Sequence, residues 1–145
     1  MNVRRKIRRG FSLIELLVVL VILALLVGLV APRFLSQIGR GQQAAAKTQI
    51  ANFKSAIGAY QLDHNGQVPA DLNDLIVAPS TSSTEGGKWK GPYLNDATTV
   101  PVDPWGRPFD YIVPGPAGND YEIRSLGEDG REGGTGQAED LSSIR

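Results

Sequence analysis

A single carboxylate, Glu15, lies inside the most apolar part of the sequence, where a charged side chain is unusual. The surrounding segment, residues 11–31, is otherwise apolar apart from Ser12 and Gly28. A charged side chain at the centre of a bilayer costs on the order of 2.5–3.5 kcal/mol. Glu15 therefore either lies near a membrane surface, where headgroup water solvates it, or meets a cation. Because the segment contains no Lys or Arg, that cation would come from another chain or from a newly formed amino terminus.

Acidic residues and glycines near the C-terminus form the second group with possible chemistry. Residues 126–141 contain five glycines, five acids and one basic residue. Carboxylates and carbonyls converging from such a loop suit Ca²⁺, which takes about six to eight oxygen ligands. The D-x-[DN]-x-[DN]-G spacing of an EF-hand is absent. A disordered tail is the alternative, because this composition offers little apolar surface to bury.

Composition excludes several other chemistries. The 145 residues contain no cysteine and one histidine, which excludes disulfides, thiolate zinc sites and two-histidine metal motifs within one chain. A G-x-x-x-x-G-K-[ST] phosphate loop is also absent. Five of the fifteen basic residues lie within residues 1–10, which leaves ten basic against 15 acidic residues elsewhere. A net-acidic body argues against nucleic-acid binding, which needs a basic face.

The apolar segment 11–31 predicts a transmembrane helix. Its 21 residues would extend roughly 30 Å, the thickness of the hydrocarbon core. The basic cluster before it keeps residues 1–10 in the cytoplasm and sends the body across the membrane. A cleaved secretory signal is the alternative, but its apolar region is typically about 7–15 residues long. We therefore favour a retained anchor.

Residues 32–65 predict an amphipathic continuation of this helix. Pro32 indicates either a kink or a helix end at the membrane surface. The helix is expected to end near Asn65-Gly66, where His64 would be a solvated capping residue. Two glycines, Gly39 and Gly41, predict flexibility near residues 38–42. Apolar positions recur at steps of three and four residues, at Ile38, Ala45, Ala46, Ile50, Phe53, Ile57 and Tyr60.

Residues 66–145 predict a small globular part that shares a core with the helix. Residues 69–77 are typical of a short helix and residues 79–88 of a polar loop. The sequence DPWG at 103–106 predicts a structural turn. Strands are expected at 109–113 and 121–125, joined by a hairpin. Two aromatic residues, Trp89 and Tyr93, are expected to anchor the polar loop.

At the N-terminus a basic cluster is followed by Gly10, Phe11 and, four residues beyond Phe11, Glu15. This pattern resembles the processing site of type IV pilins and type II secretion pseudopilins, in which the basic leader is cut off after the glycine. The resemblance implies cleavage between Gly10 and Phe11 by prepilin peptidase and N-methylation of Phe11. The new amine of Phe11 would then be the cation that faces Glu15 of an adjoining subunit, which sets the register of a filament.

The DPWG turn and the acidic loop resemble those of the major pseudopilins. The resemblance implies structural calcium bound by the side chains of Asp129 and Asp140, with Glu139 as a further candidate, and by the carbonyls of Leu126 and Arg131. The chain departs from the family pattern after Asp140, where it ends in LSSIR. This departure leaves the choice between Glu139 and Asp140 open.

Together these resemblances imply an α+β, type IV pilin-like fold: a long N-terminal helix packed on a small antiparallel sheet. The expected divisions are a cleaved leader (1–10), a transmembrane helix (11–31), its amphipathic continuation (32–65) and a periplasmic part (66–145). The implied function is structural, as a single-pass inner-membrane subunit of the type II secretion pseudopilus. Its implied partners are further copies, minor pseudopilins, prepilin peptidase and the inner-membrane assembly platform.

Two alternatives belong to other functional classes. A type IV pilin of a surface fibre would share the N-terminal helix. Many such pilins close their C-terminal loop with a disulfide, which this chain cannot form because it has no cysteine. A membrane-anchored hydrolase would need two carboxylates beside a substrate cleft. The candidate pair, Asp129 and Asp140, lies in a loop with no evident cleft, so the sequence favours a non-enzymatic role.

Overall fold

The computed structural model describes residues 10–79, 89–95 and 97–144, with only the backbone described over 30–36. The predicted leader lies outside the described residues except for Gly10, and the predicted loop 79–88 does so except for Pro79. The chain divides into two compact units, Met1–Ile38 and Gly39–Arg145.

One helix, α1 (Leu13–Asp63), runs from the first unit into the second. It continues through Pro32, so the expectation of a helix end at this proline is wrong. Its C-terminus lies where Asn65-Gly66 predicted it: Asn65 takes a left-handed φ of 52°. The Gly66 amide then donates to the carbonyl of Gln61 across 2.8 Å, which closes the last turn.

The first unit exposes apolar side chains along α1. Between residues 11 and 29 the large apolar residues are at least 47% exposed, and Leu13 reaches 87%. Among the helices that the structure describes, none combines the length and apolarity needed to cross a bilayer. The transmembrane helix over 11–31 stays a prediction, and its last two side chains, at 30 and 31, lie outside the described part.

The core of the second unit forms on the apolar stripe of α1. Most of the predicted stripe is confirmed. Of its two adjacent alanines, Ala46 is buried in the core and Ala45 is exposed, and Ile38 is 46% exposed. Phe53 contacts Phe109 edge to face, with ring centroids 5.3 Å apart, an arrangement that aromatic pairs prefer. The helical residues in this core are Ala46, Ile50, Phe53, Ala56, Ile57 and Tyr60.

In the part of the chain that the structure describes, three antiparallel strands cover this stripe in the order β1-β2-β3. They are β1 (Asp110–Ile112), β2 (Glu122–Ser125) and β3 (Leu141–Ser142). Both predicted strands are confirmed in shortened form. The third was not predicted, because two residues are too few to show alternation. β3 pairs Leu141 with Ser125, so the chain returns to the sheet after the acidic loop.

Within its described residues, the second unit also contains three short 3-10 helices, at Leu72–Leu75, Pro116–Gly118 and Gly136–Ala138. The first lies inside the helix predicted over 69–77 and is shorter than expected. A capping box explains where it begins: the Asp71 carboxylate accepts from Asn73, while Asp74 accepts from the Asp71 amide. These bonds satisfy amides that the first turn would otherwise leave without partners.

Candidate assembly and cation sites

The predicted cleavage site lies before α1 begins. Gly10 and Phe11 have no helical structure and are exposed, Phe11 by 80%. Proteolysis favours exposed backbone outside regular structure. The structure thus leaves Gly10 and Phe11 exposed and outside regular structure, and cleavage between them stays a prediction.

Glu15 lies in the first turn of α1, and both its side chain and its amide bond to the backbone of Ser12. Its Oε2 accepts a hydrogen bond from the Ser12 amide across 3.3 Å, and its own amide donates to the Ser12 carbonyl across 3.1 Å. This is the glutamate half of a capping box, and a negative charge also suits the positive end of the helix dipole. The S-x-x-E spacing of Ser12 and Glu15 would have revealed this bond in the sequence.

The acidic loop, residues 126–141, is folded and closes on itself. The Glu128 amide donates to the Gln137 carbonyl across 3.0 Å. Gly127, at φ 63°, lies where a Cβ would come within 2.8 Å of the Glu139 carbonyl oxygen. Only glycine permits this approach, because it adopts a left-handed conformation and lacks a Cβ. The two ends of the loop therefore meet at Gly127, and the alternative of a disordered tail is wrong for these residues.

The predicted carboxylate ligands have different environments. Asp129 is exposed and accepts from the Arg131 amide across 3.1 Å. Asp140 accepts from the Gly133 amide across 3.0 Å through Oδ2, while its Oδ1 is buried and lacks a hydrogen-bond partner in the described part of the chain. Glu139 is exposed. Among the described residues, no three Asp, Glu, His or Cys side chains are arranged to hold a metal by themselves.

The acidic loop packs on α1 near Gly39 and Gln43, where the helix enters the second unit. The Gln43 amide group donates to the Gly136 carbonyl. A Cβ on Gly39 would overlap the Gln137 side chain, and Gly39 is buried. Gly39 thus allows a close contact, which local sequence patterns do not reveal, whereas the sequence suggested only flexibility there.

Two arginines join the loop to the rest of the unit. Arg107 donates to the Gly127 carbonyl. Arg124, on β2, lies 3.0 Å from Glu132 and 3.3 Å from Asp110. Burial opposes the charge on Arg124, but its hydrogen bonds with Asp110 and Glu132 outweigh that effect and raise its pKa. Neither arginine was identified from the sequence, because each contact joins residues distant along the chain.

The DPWG turn has the structural role predicted for it. The Asp103 carboxylate is buried and accepts from the Trp105 and Arg107 amides across 3.1 and 2.8 Å. Ser125 of β2 donates to the same carboxylate across 2.8 Å. Gly106 takes a φ of 84°, and Trp105 packs against the core.

The end of α1 holds an aromatic cluster that includes Trp89 and Tyr93, while the loop that they are predicted to anchor lies outside the described residues except for Pro79. Trp89 donates to the Asp74 carbonyl across 2.8 Å, and Tyr93 donates to Asp63 across 3.1 Å. The expectation of a solvated His64 is wrong. His64 is 4% exposed, and its ring stacks on Tyr60 with centroids 3.8 Å apart.

Comparisons with known proteins agree with these features. Residues 33–144 match the type II secretion system protein G family. Over 143 residues the chain is 36% identical to the type II secretion system core protein G of Pseudomonas aeruginosa, covering 97% of each protein. The chain belongs to the protein G family.

Further comparisons cover the N-terminus and the fold. Residues 5–31 match the prokaryotic N-terminal methylation motif. The core protein G of Xanthomonas campestris is 38% identical over 132 residues, covering 91% of this chain and 87% of that protein. The crystal structure of the major pseudopilin from the type 2 secretion system of enterohaemorrhagic Escherichia coli superposes with a TM-score of 0.56 at 20% identity. It covers 75% of this chain and 91% of that one, which confirms the predicted pseudopilin fold.

Proposed function

We propose that the chain is the major structural subunit of a type II secretion pseudopilus. Its membership of the protein G family carries this assignment, and the methylation motif over 5–31 supports it. The exposed apolar surface of α1 between residues 11 and 29 provides the area that a membrane and neighbouring subunits would cover. We place residues 1–10 in the cytoplasm, the anchor in the inner membrane and the second unit in the periplasm.

Glu15 is the proposed determinant of assembly. Its carboxylate has one local partner, the Ser12 amide at 3.3 Å, and so retains capacity to accept further hydrogen bonds. Removal of residues 1–10 by prepilin peptidase would create a cationic amine at Phe11. In an apolar surrounding, opposite charges attract far more strongly than in water. The Glu15 carboxylate of one subunit would therefore select the position at which the Phe11 amine of its neighbour stops.

We further propose that the acidic loop binds structural calcium. The unpartnered Oδ1 of Asp140 supports this, because a buried carboxylate oxygen without a donor is costly unless a cation neutralises it. Asp129 and Asp140 would supply side-chain oxygens, Glu139 is a further candidate, and Leu126 and Arg131 would supply carbonyls. Bound calcium would contribute positive charge that joins the two ends of the loop.

A structural role fits the molecule better than an enzymatic one. The family to which the chain belongs is named for a core component of a secretion system. A surface pilin remains the second candidate because it shares the N-terminal motif. The match over residues 33–144 to protein G, which lies outside that motif, favours the pseudopilin.

Deletion of the gene in its host tests the assignment. We expect folded proteins to accumulate in the periplasm instead of reaching the medium, and the wild-type gene to restore their export. An Asp120→Ala gene, which removes one exposed acid from the hairpin, is the matched control and should restore export fully. Normal export with loss of surface fibres would instead identify a type IV pilin.

A further inference from the structure

The backbone of Arg107 is held rigidly at the end of the DPWG turn. Its amide donates to the Asp103 carboxylate across 2.8 Å, and its carbonyl accepts from the Asp103 amide across 2.7 Å. The Asp103 carboxylate is held in turn by Ser125 of β2. Both polar backbone groups of Arg107 are therefore satisfied within a turn that is itself fixed to the sheet.

The guanidinium group of Arg107 contacts the acidic loop at Gly127 and Gly130. Its Nη2 donates to the Gly127 carbonyl. A Cβ on Gly130 would lie 3.1 Å from Cζ, Nε and Nη1 of Arg107, so the planar group covers the Gly130 backbone. These two glycines lie on either side of Asp129, so Arg107 holds the segment that presents this carboxylate.

We propose that Arg107 is a positioning residue for the cation site, an inference that rests on the proposed calcium binding. By fixing residues 127–130 it holds the Asp129 carboxylate and the Leu126 carbonyl in place before the cation arrives. A site ordered in advance loses less conformational entropy on binding. Groups that orient ligands without touching the metal commonly contribute about tenfold to 100-fold in affinity.

Coulomb repulsion and positioning predict opposite changes in calcium affinity when the charge of Arg107 is removed. Arg107 is positive and lies beside a loop that would bind a cation, so Coulomb repulsion alone predicts that removing its charge strengthens calcium binding. Positioning predicts the opposite, because the loop would lose its support. Lys47 is a matched control, since it is also positive, is exposed and lines a cavity beside Glu139 and Asp140, but is not itself a proposed ligand.

The test measures the calcium dissociation constant of the full chain in detergent micelles by titration calorimetry. We expect Arg107→Gln to bind calcium about tenfold more weakly, and Lys47→Gln to bind as tightly as the wild type or more tightly. Arg107→Lys keeps the charge but lacks the planar fork, and it should also bind more weakly. Fluorescence of Trp89 and Trp105 reports whether each variant is folded.

The possible outcomes separate the two proposals. Wild-type affinity in both Arg107 variants would overturn the positioning role and leave calcium binding intact. An equal loss in Lys47→Gln would also overturn it, because the loss would then not depend on the contacts between Arg107 and the loop. A wild-type chain that takes up no calcium would overturn the cation site and this inference together. If Arg107→Gln does not fold, the comparison of Arg107→Lys with Lys47→Gln decides.

Discussion

The amide of Ser12 donates a hydrogen bond to the Glu15 carboxylate across 3.3 Å. The same acid that marks the apolar segment therefore also caps the helix that carries it. Capping requires an acceptor and is served by Glu or Gln, whereas pairing with an amine requires a negative charge. These two roles of Glu15 can be separated by substitution.

Glu15→Gln keeps the cap and removes the charge, while Glu15→Ala removes both. We expect both variants to reach the membrane folded and neither to form pseudopili, because the Phe11 amine would lack its partner. Fibres sheared from cells and detected by immunoblotting report the result, with Asp120→Ala as the control. Normal fibres from Glu15→Gln would assign Glu15 to helix capping alone.

Asp103 should be among the residues most sensitive to substitution in the second unit. Asp103→Ala leaves the Trp105 and Arg107 amides and the Ser125 hydroxyl without their acceptor. Unsatisfied buried groups cost about 1–3 kcal/mol each, and we expect a total loss of about 3 kcal/mol in the free energy of unfolding. Denaturant unfolding followed by tryptophan fluorescence measures it. A loss below about 0.5 kcal/mol, typical of exposed sites, would contradict the role of the turn.

Asp63 gives a pH-dependent prediction. The hydrogen bond from Lys90, 2.6 Å long, lowers the pKa of Asp63, and the Tyr93 hydroxyl adds to this effect. Because the folded pKa lies below the unfolded value of about 3.9, the stabilisation is present above that pH and is lost as the pH falls through the folded pKa. The Tm difference between wild type and Asp63→Asn should therefore disappear in acid.

Thermal unfolding at a series of pH values from neutral to strongly acidic measures that difference. Asp120→Asn is the control, since its carboxylate is exposed, and it should differ little from wild type throughout. A difference for Asp63→Asn that stays constant or grows on acidification would contradict the ion pair.

Gly39 and Gly41 should respond differently to alanine. Alanine favours a helix by roughly 1 kcal/mol over glycine, and a Cβ on Gly41 meets open space. A Cβ on Gly39 must displace the Gln137 side chain, so Gly39→Ala should stabilise less than Gly41→Ala. Denaturant unfolding of a double-mutant cycle with Gln137→Ala tests the contact. Equal effects of the two single variants would show that the loop does not lie against Gly39.

Calcium removal should lower the Tm of the full chain in detergent micelles. Excess free calcium stabilises a folded state that binds it, in proportion to the logarithm of its concentration. Asp140→Asn should reduce the difference between chelator and calcium, because it removes the charge of the carboxylate whose Oδ1 lacks a partner. A wild-type Tm that is the same in chelator and in calcium would contradict the site.

Local patterns predicted the elements that repeat or that depend on special backbone geometry. The three- and four-residue spacing predicted the buried face at Ile50, Phe53 and Ile57, and Asn65-Gly66 predicted the helix end. The two strands followed from their β-branched and aromatic residues. In each case the information lies within a few neighbouring residues.

Contacts between distant parts of the chain could not be predicted in this way. Arg107 meets Gly127 twenty residues away, and Gln43 meets Gly136 at a separation of 93. The burial of His64 depends on Tyr60 and on Tyr93, which returns from beyond a loop. The acidic composition of residues 126–141 suggested either disorder or a cation site, and only tertiary contacts distinguish a folded loop from a disordered tail.

The intact mass of the protein extracted from membranes tests the central claim most directly. We predict the mass of the chain from Phe11 onward with one added methyl group, since the amine proposed to pair with Glu15 exists only after cleavage. A functional chain that retains residues 1–10 would have no amine at Phe11, and assembly through Glu15 would be contradicted.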